Sequence, residues 1–525
     1  MLCAYRHENP VMAKAHCQIR TALWFASIGV LAMSWHATGQ QPTIPRAQLG
    51  SPIDLPTAPP LGQPLPGSAL PIQPAAPTLP ISLPAALQLA NARPIDIQLA
   101  QQRLAAANAQ LARAEVLWLP SILFGVDYYH HDGVLQDSSG NIISNSKSTF
   151  MVGTAPTAVF ATTDAIFGPL AARQDVRARD AGVQAARNDS LLSVAEAYFN
   201  VQEARGDLIG AQTVLHHAEE LVRRTDQLAP GLAPPVDAVR AQAELARRKQ
   251  AVSAARERWR VSSAELCRVL RLQPSAAIEP IEPPYLQVSL LRLDVLVDEL
   301  IPVALTNRPE LAQQQALVQA TLQRLRQEKL RPLLPSILLR GASTNPAGTL
   351  AAGYFGGGIN EHIGDMRLRG DWDIQVLWEL QNLGFGNHAK VREKQAEYEF
   401  ATLEVFRTQD RIAAEVVQAL AQAQEAAIRI KEAETGLKLA ADSMQKNLDG
   451  LSQTRRLGGD VVLLVVRPQE AVAAVQALAQ ANNDYYAAVA EYDRAQFRLY
   501  RAVGQPAQAL AEQESPLASG EQHAK

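Results

Sequence analysis

Hydrophobic positions along this chain follow two rhythms. Val194, Val201, Leu208, Leu215 and Val222 recur at strict sevens, and Val416, Ala423, Ile430, Leu437, Met444 and Leu451 do the same further on. Two return stretches repeat the pattern with Leu245, Val252, Trp259 and Leu266, then Leu478, Tyr485, Tyr492 and Leu499. A sustained seven-residue period predicts helices that supercoil against neighbours. The stretch from Pro169 to about Leu228 predicts a rod of roughly 90 Å at about 1.5 Å per residue, and the one from Asn387 to about Leu457 a slightly longer rod. No compact globule needs rods of that length.

The second rhythm has period two. In GDWDIQVLWEL (370–380), Trp372, Ile374, Val376, Trp378 and Leu380 alternate with Asp371, Asp373, Gln375, Leu377 and Glu379. In SILFGVDYYHH (121–131), Ile122, Phe124, Val126 and Tyr128 share one face. The runs at 148–160 and 336–344 alternate less cleanly. Segments of about ten residues with aromatics near their ends match transmembrane β-strands. On that reading Ile122, Phe124, Val126, Trp372, Ile374, Val376 and Trp378 face lipid. Asp371, Asp373 and Glu379 then face a pore, where they either bias passage towards cations or simply hydrate the interior. The polar stretches 131–147 and 344–365 are expected to be outer loops.

These elements occur twice. LPSILF (119–124) and LPSILL (334–339) match at five of six positions, and each follows an Arg-Pro pair (Arg93-Pro94, Arg308-Pro309) at the same distance. Between them lie Gln-, Ala- and Leu-rich helical stretches. After each comes a strand pair and then FGP (167–169) or GFGN (384–387), which opens a long helix. The chain is a tandem duplication: a first repeat at 83–285 (strand pair 121–160, helical hairpin 168–272) and a second at 286–504 (strand pair 336–381, hairpin 386–503). Four strands in one chain leave open edges, and unpaired backbone in lipid costs several kcal/mol per group. Closure therefore calls for further copies of the chain.

Composition adds the flanks. Lys14 and Arg20 precede an apolar run at Thr21–Trp35 followed by Ala37-Thr38-Gly39, which reads as a signal peptide over 1–39. Residues 40–82 form a proline-rich lead-in, with 12 prolines between 42 and 80, and 505–525 a polar tail; neither pattern suits a packed element. A net charge of −3 with scattered Lys and Arg excludes a nucleic-acid footprint. Of the three cysteines only Cys267 follows the signal, so no internal disulfide is expected.

Candidate chemistry is sparse. Gly384-Phe-Gly386-Asn-His-Ala389 fits a dinucleotide fingerprint, but no parallel strand returns within about 30 residues as that fold requires. A turn from strand to helix is the plainer reading. His130-His131 and His216-His217 are adjacent pairs, which point to different sides of an element and make poor chelates. No catalytic, cofactor or metal site is expected.

The order and spacing of these motifs, with AEAYFNV (195–201) and VDAVRAQAEL (236–245), resemble the outer-membrane efflux factors, the TolC family. The resemblance implies a homotrimer, mainly α with a transmembrane β-barrel. Each chain gives four strands to a shared twelve-stranded barrel in outer-membrane lipid, and its helices line a periplasmic α-barrel. It implies an exit duct for drug efflux or type I secretion, working with a periplasmic adaptor (membrane fusion) protein and an inner-membrane transporter. It also places the helix turns at the periplasmic tip. There Asp237 matches an acidic position after the first turn, and the second turn, 456–469, aligns Leu464 and Arg467 with gate positions, with Asp460 the nearest acid. The apolar run VVLLVV (461–466), with Val462 and Leu464, is either helix packing or a hydrophobic constriction. A periplasmic adaptor and a coiled-coil scaffold stand as alternatives.

Overall fold

A computed structural model of the chain describes residues 78–92, 94–228, 234–341, 350–457 and 461–505. The expected signal peptide over 1–39, most of the proline-rich lead-in, the polar tail from 506 and Asp460 lie outside these residues. The described part opens with a short strand, β1 (Thr78–Ile81), and two helices, α1 (Leu83–Ala92) and α2 (Ile95–Glu115). Two long strands follow, β2 (Ser121–Gln136) and β3 (Ile142–Ala161), then the helical hairpin α3 (Thr162–Leu228) and α4 (Pro235–Leu270). Strand β4 (Ala277–Pro280) and a strap over 281–296 lead into the second half: α5 (Val297–Asn307) and α6 (Pro309–Leu330). Four shorter strands come next, β5 (Ser336–Arg340), β6 (Ala352–Ile359), β7 (Gly364–Gly370) and β8 (Asp373–Leu377). A 3-10 turn at Gln381–Gly384 precedes α7 (Phe385–Leu451), a hairpin of β9 (Thr454–Leu457) and β10 (Val461–Leu464), and α8 (Pro468–Ala502).

Both long helices have 67 residues, about 100 Å at the usual rise. The first starts at Thr162, ahead of the FGP motif, so Pro169 lies inside it. The Thr162 hydroxyl donates to the Pro335 carbonyl (2.5 Å), anchoring this early start to the opposite repeat. Pro at N1 starts α4, α6 and α8, where its missing N–H costs nothing. The heptad positions Val194, Val201, Leu208, Val416, Ala423, Met444 and Leu451 are all buried.

The helices form a wall of four columns. α2 and α4 pack one above the other on α3; α3 packs on α6 and α8; these in turn pack on α7. Strands β5 and β6 lie end to end along β3, and β8 and β7 continue outside them. The sheet therefore runs β2, β3, β5–β6, β8–β7, in the same order as the columns, and each strand ribbon feeds one column. At the waist, β1 pairs in parallel with β4. Tyr198, Phe199, Leu266, Ile278 and Phe497 fill a core there, and the Trp259 indole N–H donates to the Ile278 carbonyl (2.8 Å).

The strands reach beyond the apolar alternation. Residues 131–136 and 142–147, expected as loop, continue β2 and β3, so the connecting loop shrinks to 137–141. Likewise 352–359 is strand within the second expected loop, while 342–349 lie outside the described residues. Ser, Asn, His and Gly break the alternation in these upper segments, and Val134, Ile142 and Ile143 are exposed near the loop.

Candidate functional site: a sheet segment and a helical tip

On β2 every second side chain from Ile122 to Tyr128 is exposed, Phe124 at 83%. Pairing extends this face sideways: Val126 lies beside Val152, Val152 beside Tyr354, and Tyr354 beside Leu368, all exposed. In the second repeat Ile337 lies beside Val376, and Leu339 beside Ile374, itself 70% exposed. Trp372 and Trp378 flank β8, exposed as well. An apolar patch across four ribbons, with no covering element among the described residues, suits hydrocarbon rather than water. Its upper limit is the His130–Ser148 pair, joined by a 2.9 Å hydrogen bond.

The opposite face is polar. Asp371 and Asp373 are half-buried on it, and neither stands alone. Arg369 donates to Asp371 (2.7 Å) and lies over the Phe355 ring. Arg340 and Gln375 donate to Asp373 at 3.1 and 2.8 Å. Glu379 follows the end of β8 and is exposed, accepting from the Gln381 amide (2.9 Å). The arginines that neutralise two of these three acids escaped the sequence reading, because cross-strand register is set by pairing and not by spacing within one strand. The glycine motif is a corner: Gly384 sits at φ 93° as the N-cap of α7, and the Asn387 side chain accepts the Gln381 N–H (2.7 Å). No parallel strand follows it.

At the far end Asp237 is buried in the first turn of α4 and accepts from Arg240 (3.1 Å). Arg467 is exposed at the N-cap of α8. Val462 and Leu464 lie in β10, which pairs with β9. Two polar ties join the hairpins near this end. Arg224 of α3 donates to the Leu448 carbonyl of α7. Buried Glu244 of α4 accepts from Arg248 (2.7 Å) and from Gln476 of α8 (2.9 Å).

A charged hub near the waist was also missed. Arg308 is 2% exposed and donates to Glu415 and to the Arg501 carbonyl (3.2 Å), with Glu310 at 3.2 Å. Arg501 reaches Glu415 (2.8 Å), Glu310 (3.0 Å) and Asp189 (2.6 Å). These residues come from α3, α6, α7 and α8, so the hub ties both repeats together. Cys267 is buried, its thiol directed at the Ala276 carbonyl, and burial pushes its pKa up. Among the described residues no group of His, Cys, Asp and Glu is placed to hold a metal, and no helix is long and apolar enough to cross a membrane.

An apolar-faced sheet of four strand ribbons continued by long helical columns defines a class: β-barrel channels with a helical extension. The comparisons agree. Residues 86–270 match the family model described as outer membrane efflux protein. That match places an outer membrane efflux protein domain within the first repeat. Several solved structures share its fold. A membrane protein from Pseudomonas aeruginosa is 17% identical with a TM-score of 0.65, covering 82% of this chain and 98% of that one. The Vibrio cholerae outer membrane protein VceC is 14% identical at 0.64, covering 80% and 96%. The Campylobacter jejuni CmeC outer membrane channel is 15% identical at 0.62, covering 80% and 85%. No curated protein matches the sequence.

Proposed function

We propose that this protein is a passive outer-membrane exit duct, three copies of which close a shared barrel of twelve strands over a periplasmic tunnel of helices. The observation that carries this reading is the four-ribbon sheet with one lipid-suited face and two outer edges. Among the described residues β2 pairs only with β3, and β7 and β8 each have one neighbour. Such edges are untenable in hydrocarbon unless other copies pair with them, and single-chain barrels begin at about eight strands. A periplasmic adaptor or a coiled-coil scaffold gives no account of this sheet. The duct passes substrates delivered by an inner-membrane transporter through a periplasmic adaptor; no step of bond chemistry is involved.

The sheet's polar face lines the pore in this reading. With Asp371 and Asp373 paired to arginines, the cation preference they confer is small, leaving Glu379 as the unpaired acid. At the tip, Asp237, Val462, Leu464 and Arg467 frame the entrance. Serine at both 462 and 464 raises leak conductance in planar bilayers if these residues constrict it; unchanged conductance with normal assembly overturns that role.

The mass of the protein extracted from outer membranes, measured by light scattering with detergent subtracted, tests the duct. Three chains are expected. A monomer recovered without detergent overturns the reading.

A further inference from the structure

The lipid-suited face is too short for a bilayer. Ile122 to Tyr128 and Trp372 to Trp378 each measure about 20 Å of extended chain at about 3.3 Å per residue, hence about 15 Å of height at the tilt of about 40° common in barrels. The outward apolar band of a membrane barrel is about 25 Å tall. Above, the His130–Ser148 pair ends the face. The missing height of about 10 Å therefore has to lie below, where the strand ribbons hand over to the helical columns.

That junction is apolar on every column. Trp118 follows α2, Ile166 and Leu170 lie in the upper turns of α3, Leu333 follows α6, and Leu383 and Phe385 stand at the head of α7; all six are exposed. Trp378 and Leu380, also exposed, continue the alternation of Ile374 and Val376 down to that last corner. From Thr162 to Leu170 the helix descends about 12 Å at about 1.5 Å per residue, which matches the shortfall. Leu383 is the extreme case. It is 92% exposed and held at φ 59°, a left-handed conformation that a bulky side chain rarely adopts. Contact with water adds to that strain, whereas acyl chains would bury the side chain.

Below the belt each column turns basic on the same face. Arg173 and Arg177 follow Ile166 and Leu170 at helical spacing, and Arg392 follows Phe385 by seven residues. Arg113 precedes Leu117 by four residues, and Lys329 precedes Leu333 by four. All five bases are exposed. Arg173 reaches Glu115 of α2 (2.9 Å), and the other four have no carboxylate partner among the described residues. Of the acids at this level, Asp164 is paired with Arg331 (2.7 Å), Asp175 with Arg324 (2.5 Å) and Glu393 with Lys394 (3.4 Å). Apolar side chains above and bases below are the order of a leaflet, from acyl chain to phosphate.

We infer that this junction is a phospholipid collar: the apolar belt lies among the acyl chains of the periplasmic leaflet, and the bases beneath it hold headgroup phosphates, with a preference for anionic phospholipid. Long cationic side chains reach headgroups from such positions while their stems stay on apolar surface. Each base near an anionic surface adds attraction. The inference rests on the outer-membrane duct proposed above and sets its depth, with the upper turns of the helices standing inside the bilayer.

The test reads depth and headgroup separately. Leu383→Cys, in a background lacking other cysteines, is labelled with a polarity-sensitive fluorophore and reconstituted in vesicles of mixed phosphatidylcholine and phosphatidylglycerol. Val126→Cys and Lys431→Cys, the latter at an exposed position far down α7, carry the same label as lipid and water references. Expected at 383 is blue-shifted emission that acyl-chain nitroxide lipids quench as they quench 126. A label at 383 that emits like the one at 431, with 126 quenched, overturns the collar and leaves the duct standing. No quenching at 126 overturns the duct and the collar together. For the headgroups, nitroxide phosphatidylglycerol is expected to quench 383 at about fivefold lower concentration than nitroxide phosphatidylcholine, the scale of one base near an anionic surface. The combined changes Arg113→Gln, Arg177→Gln, Lys329→Gln and Arg392→Gln are expected to abolish that difference and keep the blue shift. Equal quenching by the two lipids before these changes, or a difference that survives them, overturns the assignment of the bases to headgroups.

Discussion

Asp493 is fully buried in α8, where its Oδ1 accepts the Val288 N–H of the strap (2.7 Å) and Oδ2 has no hydrogen-bond partner among the described residues. Burial pushes its pKa up to about 8, against the opposing pull of the Val288 N–H and Arg494. The folded chain thus binds a proton there that the unfolded chain releases near 3.8. This contribution is full below about pH 4 and is lost as pH rises through about 8. Asp207, raised to about 6 by burial, acts in the same direction over a narrower window. Asp493→Asn is expected to flatten the fall of the melting temperature between pH 5 and 8, as followed by helical circular dichroism; an unchanged slope counts against the assignment. At the hub, Arg308→Ala leaves Glu310 with Arg501, and Glu415 with Arg501 and the more distant Arg411 (3.9 Å). It should cost about 3 kcal/mol, the scale for breaking a buried pair, read as a lower denaturant midpoint. Neither group was legible in the sequence. The one signal for Asp493 was its place among Val489, Ala490 and Phe497, a carboxylate on a buried helical face. For Arg308 even that is missing, because its partners Glu415 and Arg501 come from two other helices.

The long helices were legible because a strict heptad admits few other readings. The strands were legible only where apolar and polar side chains alternate, from Ile122 to Tyr128 and Trp372 to Val376. Above the His130–Ser148 pair the alternation stops and pairing continues, so that length was invisible. The tip hairpin had an overlooked signal: Gly458-Gly459 between TRRL and the β-branched VVLL is hairpin chemistry. Two substitutions test the elements. Val126→Lys on the apolar face should cost about 2 to 4 kcal/mol in folding into vesicles, as expected for a cation near a bilayer midplane, and Asp127→Lys on the other face much less. Equal effects overturn the two-faced assignment. Gly206→Ala builds a methyl 2.6 Å from the Tyr486 ring, where α3 packs against α8. Overpacking of about 1 to 3 kcal/mol is expected, and a double change with Tyr486→Leu should recover most of it.

At the scale of the whole molecule, the duplication was readable from two hexapeptides and two Arg-Pro pairs, but the wall was not. Which column neighbours which depends on contacts between distant residues, such as Arg498 with Glu196 (2.7 Å) and Arg324 with Asp175 (2.5 Å). The two halves match along their columns and differ at their far ends. Helix α3 ends at Leu228 and α4 begins at Pro235, whereas α7 and α8 are separated by 452–467, which include the β9–β10 pair whose base rests Val466 against Gly450. In a closed ring of three copies the columns approximate sixfold repetition, and the tips break it. Short and long connections then alternate around the rim of such a ring. A partner built from six identical subunits would have to grip two kinds of end with one kind of surface, so such a ring would favour partners that bind as three alternating pairs.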